Sequence, residues 1–490
     1  MSQQHSGTQW GSRFGFILAS AGSAIGLGAI WKFPYWAGTY GGANFIIPFI
    51  LFTFTIGIAL LLGELAIGRA GRGSALNALR KTGGPVFTVL GGIAVLTSFV
   101  ILSYYSVVGG WCVKYLFDAL TGHLVTDNAR LLTDNFRSLV GNGPVNCAWH
   151  ILFLTLTCGV IAAGVMQGIE RLSKYLLPTL FVLMIFLIAR SLTLPGAMEG
   201  VAFLFKFDPS AVTLEGLLNA MGFTFFSLSL GCGILVTYGC YVKESTDLPN
   251  SSLWIAWLSV QTAILAGLMI MPAVFALGQD PNAGPGLVFV TMPLVFSQLP
   301  MGGIFALLFY VCLLVAALTS SVSLLEVCTA YLTSEWHMTR RRAVTLCYVA
   351  LAVLGCVSAL SFGPLSGFTV GGKNIFELLD YVCSNVMMPL GGLSIALLAG
   401  WKAWPVFKAQ INAVHQYPAA LNTFLKFSLR FLAPLLVIVV VATGLCAKVS
   451  KPSDANGVPD YFSGHRLSYR PESSVHSGAP RILLLRQHYV

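Results

Sequence analysis

An apolar run from Phe14 to Trp36 interrupts itself in the middle. The run is long enough to cross a bilayer, which takes about 20 residues. Its centre, residues 21–29, reads Ala-Gly-Ser-Ala-Ile-Gly-Leu-Gly-Ala, so three glycines fall within seven residues. Glycine weakens a helix, and a backbone group freed inside the membrane needs protein, water or a ligand as its partner. The sequence therefore predicts a membrane helix that is broken at a site able to satisfy its backbone.

A second apolar run, from Leu214 to Tyr238, has the same character. Its centre, residues 227–233, reads Ser-Leu-Ser-Leu-Gly-Cys-Gly. Glycine-interrupted hydrophobic segments at corresponding positions of two halves indicate the binding site of a secondary transporter. The pair of breaks therefore favours transport over other membrane functions.

The composition is that of a membrane protein. Of the 490 residues, 56% are hydrophobic and only 9% are charged, whereas a soluble domain carries roughly 25% charged residues. We therefore predict an all-α polytopic membrane protein. Hydropathy predicts eleven spans, at about 14–36, 44–69, 86–118, 149–166, 174–194, 214–240, 252–277, 303–333, 343–361, 374–400 and 427–447.

Basic residues in the loops predict the orientation. Most lie after even-numbered spans, whereas the opposite loops hold few. Since cytoplasmic loops carry the excess of lysine and arginine, the N-terminus is expected in the cytoplasm and, after eleven spans, the C-terminus outside. This distribution accounts for the net charge of +10 without nucleic acid as a partner.

The breaks fall in the first and sixth spans, which suggests two repeats of five spans. Five is odd, so the repeats would face opposite ways across the membrane, as inverted repeats do. The predicted organisation is a cytoplasmic segment (1–13), a first repeat (14–194), an external loop (195–213), a second repeat (214–400), a cytoplasmic loop with the eleventh span (401–448) and a polar tail (449–490).

An ordered set of motifs covers residues 10 to 400. They are the glycine-rich run 22–28 with the following Trp-Lys-Phe-Pro-Tyr at 31–35, and the segments 44–48, 63–65, 104–105, 225–231, 284–287 and 316–321. This set resembles the neurotransmitter:sodium symporter family, which includes the bacterial leucine transporter. The resemblance implies the leucine-transporter fold, a sodium ion as the coupled ion and an amino acid as the substrate.

By this resemblance, the second sodium site of the family uses three backbone carbonyls and two hydroxyls. A hard cation prefers such oxygen ligands, and the C-terminal end of a half-helix carries partial negative charge. All five positions match the family, at Gly22, Ile25, Ala316, Thr319 and Ser320. The alternative is that the two hydroxyls only bond back to their own helix, as Ser and Thr often do.

The first sodium site of the family is weakened in this chain. Its expected positions are Ala24, Ala29, Ser227 and Ser259. Ala29 stands where the family usually has an asparagine, and Ser259 where an amide or a carboxylate is usual. Ser227 keeps the hydroxyl. Because a methyl group cannot coordinate sodium, the first site has fewer oxygens than the family pattern.

The chloride site of the family is also missing its usual residues. Phe49, Phe223 and Ala263 stand where Tyr, Gln and Ser or an acid would be expected. These losses agree with those at the first sodium site. We therefore predict that transport is coupled mainly through one sodium ion, at the second site, without chloride.

The resemblance also places the substrate between the two breaks. The backbone N–H groups of Leu27 and Gly28 begin a half-helix whose positive end suits a carboxylate, and Tyr105 would add a hydroxyl. Gly26 leaves room where amine-transporting relatives carry an aspartate, which favours amino acids. The remaining predicted binding residues are Ile101, Phe226, Ser229, Cys232 and Leu324. Cys232 is small, so the pocket suits a large apolar or aromatic side chain.

Charged residues in the spans predict the gates. Lys32 and Asp380 are expected to pair across the external vestibule, with Phe226 as an aromatic lid. A charge inside the membrane is costly unless it is paired or hydrated, and snorkelling to the interface is the alternative for Lys32. At the internal gate, Gly7 and Ser334 stand where a basic and an acidic residue are usual. Arg13 and Glu335 are candidates to replace them.

Two acidic residues lie within predicted spans. The resemblance makes Glu64 a structural partner of the exposed backbone at the second break. Glu326 lies six residues after Ser320, on the inward path. It is a candidate proton carrier, and a structural hydrogen bond to a neighbouring helix is the alternative.

These residues together predict a sodium-driven amino-acid symporter of the bacterial inner membrane that works by alternating access. Its expected partners are an amino acid, sodium and the lipid bilayer, with no nucleic acid and no obligatory protein partner evident. No nucleophile or nucleotide motif indicates an enzyme. Two alternatives stay open: a proton-coupled transporter of the same fold, and a receptor that binds an amino acid without transporting it.

Overall fold

The computed structural model describes residues 9–279, 281 and 286–446. The first eight residues, with Gly7 of the expected internal gate, and the predicted polar tail lie outside these residues. The described chain forms α-helices α1 (Arg13–Ala24), α2 (Leu27–Thr39), α3 (Ala43–Phe52), α4 (Ile58–Gly71), α5 (Ala75–Gly83), α6 (Pro85–Thr121), α7 (Ala129–Gly141), α8 (Gly143–Ala162), α9 (Arg171–Leu192), α10 (Ala197–Phe205), α11 (Leu214–Ser227), α12 (Ile234–Cys240), α13 (Leu248–Ala276), α14 (Met292–Ser297), α15 (Gly302–Glu335), α16 (Arg340–Leu360), α17 (Ile375–Val382), α18 (Met388–Leu397), α19 (Trp404–Ile411), α20 (Ala419–Phe427) and α21 (Ala433–Cys446).

The helices confirm an all-α polytopic membrane protein. Within the described residues, nine helices are long and apolar enough to cross a membrane, and the bent pair α1–α2 makes a tenth. The sixth predicted span, 214–240, is present as α11 and α12. Neither piece is long enough to cross alone, because six residues of non-helical chain separate them.

Some predicted span boundaries are wrong by several residues. The span predicted at 149–166 is the helix Gly143–Ala162, because the side chain of Asn142 caps its first turn. The span predicted at 427–447 belongs to a helical stretch that begins at Ala419. Hydropathy gives no signal at Asn142, where capping decides the start of the helix, whereas the helix at Ala419 begins directly after Pro418 without a side-chain cap.

The first span breaks at its glycines. Helix α1 ends at Ala24 and α2 begins at Leu27, with a bend of 47° between them. Ile25 closes α1, since its N–H donates to Ala21 O at 2.6 Å. Gly26 then adopts an extended conformation and caps α2 without a side chain. The break leaves the last carbonyls of α1 and the first N–H groups of α2 outside the regular helix ladder.

The sixth span breaks between Ser227 and Ile234. Three residues in the break have positive φ: Ser229 at 54°, Gly231 at 80° and Gly233 at 79°. Gly231 cannot be replaced by a larger residue, because a Cβ there would lie 2.0 Å from Met388 O. A left-handed conformation at a non-glycine residue such as Ser229 is uncommon and often marks a functional site.

The two broken spans lie side by side in the centre of the bundle. Helix α1 packs against α9, α12, α13 and α15, and α2 packs against α13 and α15. Helix α15 also packs along the length of α6. This packing brings the breaks of the first and sixth spans against α6 and α15, and these four elements build the candidate site.

A short apolar helical segment covers one end of the bundle. It runs over residues Leu287–Ser297, between the predicted spans 252–277 and 303–333. Phe289 anchors it by packing edge-on against Trp31, Trp111 and Tyr115. The segment therefore lies over the aromatic residues next to the first break.

Candidate functional site

A cavity lies between the two helix breaks. It comprises about 450 Å³ of atom-free space, part of which is open to solvent. Eight of the nine predicted substrate residues line it: Gly26, Gly28, Ile101, Tyr105, Phe226, Ser229, Cys232 and Leu324. The ninth, Leu27, contributes its backbone, and its N–H donates to the Tyr105 hydroxyl at 3.2 Å.

Two glycines make room for this cavity. A Cβ at Gly26 would lie 2.3 Å from Ser320 Oγ, and a Cβ at Gly28 would lie 2.0 Å from a ring carbon of Phe226. Real Cβ atoms do not approach other atoms this closely. The cavity therefore depends on both glycines, and so does the close approach of Ser320 to the first break.

Hydroxyl and carbonyl oxygens cluster where α15 meets the C-terminal end of α1. Ser320 Oγ donates to Ser23 O at 3.0 Å and lies 3.4 Å from Gly22 O. Thr319 Oγ1 donates to Ala316 O at 3.0 Å, and a Cβ at Gly22 would lie 3.3 Å from Thr319 Cβ. Four of the five predicted ligands of the second sodium site, Gly22, Ala316, Thr319 and Ser320, are therefore neighbours.

The donor set of this oxygen cluster suits sodium. Every polar group in it is an uncharged oxygen, and the carbonyls of Gly22 and Ser23 lie at the negative, C-terminal end of α1. Each hydroxyl has two acceptor lone pairs in addition to its proton. Both hydrogen bonds of Thr319 Oγ1, to Val315 O and to Ala316 O, return to its own helix, which is the alternative role. Ser320 instead reaches across to the other repeat.

The expected positions of the first sodium site offer few free oxygens. Ser227 Oγ and Ser259 Oγ lie 3.3 Å apart, and Ser259 Oγ also donates to Ser227 O at 3.1 Å. Ala24 and Ala29 line the central cavity with methyl groups. The two hydroxyls here are thus engaged with each other and with the backbone.

Aromatic rings fill the expected position of the chloride site. The rings of Phe49 and Phe223 have centroids 5.0 Å apart, and Phe33 packs against both. All three are fully buried, as is Ala263. Among these four residues no polar side chain is present to hold an anion.

Lys32 and Asp380 meet at one end of the cavity. Lys32 Nζ lies 3.6 Å from Asp380 Oδ1, and both side chains are only 15% exposed. The same Nζ lies 4.4 Å above the centre of the Phe226 ring. A cation held by a carboxylate and an aromatic face is stabilised by both, so the three predicted gate residues form one contact.

Trp10 covers the opposite end of the broken helices. Its backbone N–H donates to Tyr241 O and its indole Nε1 donates to Tyr238 O, both at 3.1 Å. The side chain is only 3% exposed. The segment before α1 is therefore fastened to the end of α12.

The candidate replacements for the internal gate do not meet. Arg13 donates to Asn250 Oδ1 at 2.6 Å and to Ser251 Oγ. Glu335 pairs instead with Arg80 at 3.0 Å. Each residue contacts a partner on a different helix, α13 for Arg13 and α5 for Glu335. An Arg13–Glu335 gate is therefore absent.

Glu326 is held by a buried network. Its carboxylate is paired with Arg340 through both oxygens, at 2.5 and 3.2 Å, and accepts from the Tyr241 hydroxyl at 2.7 Å. Arg340 Nε also donates to Ile161 O at the end of α8. Glu326 therefore joins α15 to α8, α12 and α16. This geometry is the structural role that the sequence left open as an alternative.

Glu64 lies beside the second break. It is buried, and its Oε1 accepts from Gly231 N at 2.7 Å. Gly231 is one of the residues with positive φ, so the regular helix ladder cannot satisfy its N–H. A carboxylate thus replaces the missing backbone acceptor at this depth.

Three residues of the cavity wall were not predicted from the sequence. They are Ser23, Ile234 and Met388. Ser23 stands between two predicted site residues, and its carbonyl accepts from both Ser229 and Ser320. Its position within the glycine break could have identified it as a cavity residue from the sequence. Met388 comes from α18, and nothing in its local sequence indicates the cavity.

Comparisons with known proteins agree on one family. The model of the sodium:neurotransmitter symporter family matches residues 7–136 and 132–461. An uncharacterized sodium-dependent transporter of Bacillus subtilis, YhdH, is 40% identical over 446 residues, which cover 90% of this chain and 98% of that protein. A similar Haemophilus influenzae transporter is 34% identical over 89% of this chain and 98% of its own length.

A solved structure shares both sequence and fold. The crystal structure of MhsT in complex with L-phenylalanine superposes with a TM-score of 0.83 at 42% identity, covering 89% of this chain and 99% of that one. The match confirms the leucine-transporter fold expected from the sequence. With its broken spans and their central cavity, the chain belongs to the sodium:neurotransmitter symporter family.

Proposed function

We propose that this protein carries an apolar or aromatic amino acid into the cell together with sodium, mainly through the second sodium site and without chloride. The observation that carries the proposal is the oxygen cluster of Thr319 and Ser320 directly beside the cavity. An ion held there contacts the same helix break that forms the cavity. Occupancy of the two sites is thereby coupled, which is what symport requires.

The walls of the cavity support the choice of substrate. The N–H groups at the start of α2 suit a carboxylate, and Tyr105 lies beside them. Ser229 O accepts only a thiol, from Cys232 at 3.1 Å, which leaves it able to accept from an ammonium. Ile101 and Leu324 are apolar. MhsT, a relative of this chain, has been solved with L-phenylalanine, which fits the same class.

Uptake into proteoliposomes tests the proposal. A mixture of labelled amino acids would be offered with and without an inward sodium gradient, at fixed pH and with chloride replaced by gluconate. We expect sodium-driven uptake of an apolar or aromatic amino acid, unchanged without chloride, with a Hill coefficient of about 1 for sodium. A coefficient of about 2, with a second site shown to be occupied, contradicts coupling through one ion.

The same experiment separates the two alternatives. Uptake driven by a pH gradient alone, and indifferent to sodium, identifies a proton-coupled transporter. Amino-acid binding without any counterflow identifies a receptor. The ion pair of Glu326 with Arg340 weighs against the first alternative, since the carboxylate has no free oxygen.

Gly26→Ala is expected to disable both substrate and sodium binding. The new Cβ would lie 2.3 Å from Ser320 Oγ, and overpacking of this kind costs about 1–3 kcal/mol. We expect roughly 10-fold or greater weakening of substrate binding, measured by scintillation proximity. The backbone of Gly26, at φ −84° and ψ −176°, suits any residue, so strain is not the cause. Gly222→Ala is the matched control, because no atom lies within 4 Å of a Cβ there; equal losses would contradict the steric explanation.

Lys32→Met is expected to loosen the gate. The variant keeps the stem of the side chain and removes the charge that Asp380 and the Phe226 ring hold. A desolvated cation–ring contact contributes up to about 2 kcal/mol, so we expect roughly 10-fold faster release of bound substrate. Lys114→Met, which removes another partly buried ion pair, with Asp118, should leave the release rate unchanged. If Lys32→Met releases substrate as slowly as Lys114→Met does, Lys32 is not part of the gate.

A further inference from the structure

A group of cations and aromatic rings lies outside the transport path, where the end of the tenth span meets the start of the eleventh. We define this cationic–aromatic patch as three cations and the three rings that they face: Lys402, Lys426, Arg430, Phe87, Trp401 and Trp404. The mechanism proposed above uses none of them. The loop that contains Lys402 lies on the side predicted to be cytoplasmic.

Each cation of the patch lies over an aromatic ring. The distances to the ring centres are 5.8 Å for Lys402 over Phe87, 5.7 Å for Lys426 over Trp404 and 5.0 Å for Arg430 over Trp401. Contacts of this kind stabilise a cation without neutralising its charge. The patch therefore holds three positive charges in fixed places.

Backbone contacts make this part of the chain rigid. Arg430 Nε donates to Gly400 O at 2.6 Å, and Trp401 Nε1 donates back to Arg430 O at 3.3 Å. The chains approach so closely that a Cβ at Gly400 would lie 3.0 Å from the carbonyl carbon of Leu429. The two chain segments that meet here, Leu398–Lys402 and Ser428–Leu432, are π-helical turns. Such turns are frequent at functional sites.

The patch carries no counter-charge of its own. The sequence contains no Asp or Glu between Asp380 and Asp454. Among the described residues, no carboxylate forms an ion pair with any of the three cations. The three cations therefore have no carboxylate partner among the described residues and can attract an anion from outside the chain.

Exposed rings beside the patch indicate where this anion comes from. Trp401, Phe427 and Phe431 are 51%, 56% and 55% exposed, and Leu435 continues the apolar face along α21. Tryptophan favours the membrane–water interface, so we expect Trp401 where lipid headgroups give way to acyl chains, with Phe427, Phe431 and Leu435 on the side of the acyl chains. A free phosphate would make no contact with the apolar face, whereas the acyl chains of a lipid would.

We propose that the cationic–aromatic patch binds the phosphodiester headgroup of an anionic phospholipid, with the acyl chains lying against Phe427, Phe431 and Leu435. Basic pockets between helices at the cytoplasmic interface suit such headgroups. The side chains of Lys402 and Lys426 and the free Nη atoms of Arg430 supply the charge. The site is independent of the transport proposal, since it shares no residue with it.

Native mass spectrometry of the whole protein in detergent tests the lipid site. Phosphatidylglycerol and phosphatidylcholine would be titrated against the unaltered chain and the K402Q/K426Q variant, which keeps the Arg430 contact to Gly400. We expect retained phosphatidylglycerol but not phosphatidylcholine, and roughly 30-fold weaker retention in the variant, because each basic residue near anionic lipid contributes about fivefold. Inorganic phosphate that displaces the lipid would overturn the assignment to a phospholipid.

A matched variant separates this site from general surface charge. R171Q/K243Q removes two exposed cations from the same predicted side, neither of which faces a ring among the described residues. We expect this variant to retain the lipid as the unaltered chain does. Equal loss in both variants, or no loss in K402Q/K426Q, overturns the proposal. Sodium-dependent substrate binding in each variant reports that it is folded.

Discussion

Thr319→Val is expected to abolish sodium-driven uptake while the protein still folds. Valine keeps the shape of threonine and removes the hydroxyl of a side chain that packs against Gly22 near the end of α1. The side chain is buried, and its Oγ1 donates to Ala316 O at 3.0 Å. Loss even of a supporting group at a metal site commonly weakens binding 10- to 100-fold. We therefore expect sodium affinity to fall by roughly 100-fold, measured as the sodium concentration for half-maximal substrate binding.

Thr329→Val is the matched control for this prediction. Thr329 lies on the same helix, is fully buried, and bonds back to Leu325 O at 2.9 Å. If Thr319 only bonded back to its own helix, both variants would behave alike, with similar small losses of stability. A selective loss of sodium dependence in Thr319→Val assigns the hydroxyl to the ion. Ser320→Ala should reproduce this loss, since its Oγ contacts Ser23 O and Gly22 O.

The helix breaks could be predicted from the sequence because their cause is local. Three glycines in seven residues cannot sustain a helix, and the structure ends α1 at Ala24 and begins α2 at Leu27. The cavity residues next to the breaks follow from the same local pattern together with the family resemblance. Where the cause is a contact distant in the sequence, as at Met388 from α18, the residue was missed.

The internal gate shows the other limit of reasoning from sequence. Arg13 and Glu335 were candidates because of their charge and position, but each lies nearer to another partner, Asn250 and Arg80 respectively. The contacts that do fasten this end use Trp10 and backbone carbonyls of α12. A backbone acceptor is available at almost every residue, so no sequence pattern distinguishes the carbonyls that Trp10 selects.

Glu326 illustrates both points, since its burial was predicted and its partner was not. The carboxylate is completely buried, and Arg340 lies fourteen residues further along the chain, beyond the end of α15. Removing one partner of a buried ion pair leaves an uncompensated charge, whereas replacing both can be nearly neutral. The pair therefore predicts that the two single variants will be worse than the double variant.

Glu326→Gln is expected to destabilise the protein by about 3–5 kcal/mol, seen as a lower melting temperature in detergent with phospholipid. The amide keeps the hydrogen bond from Tyr241 but leaves the Arg340 charge unpaired inside the protein. Arg340→Gln should do the same. We expect the double variant E326Q/R340Q to recover much of the loss, because no unpaired charge remains.

The pair of Glu335 with Arg80 is the control for this expectation. It is the same chemistry with one partner open to solvent, since Arg80 is 48% exposed and Glu335 14% exposed, and ion pairs that water reaches contribute about 0–1 kcal/mol. Glu335→Gln should therefore change the melting temperature little. If Glu326 were instead a proton carrier, Glu326→Gln would fold normally and lose only uptake driven by a pH gradient. An unchanged melting temperature of Glu326→Gln would thus contradict the structural role. It would instead support Glu326 as the proton carrier of a proton-coupled transporter.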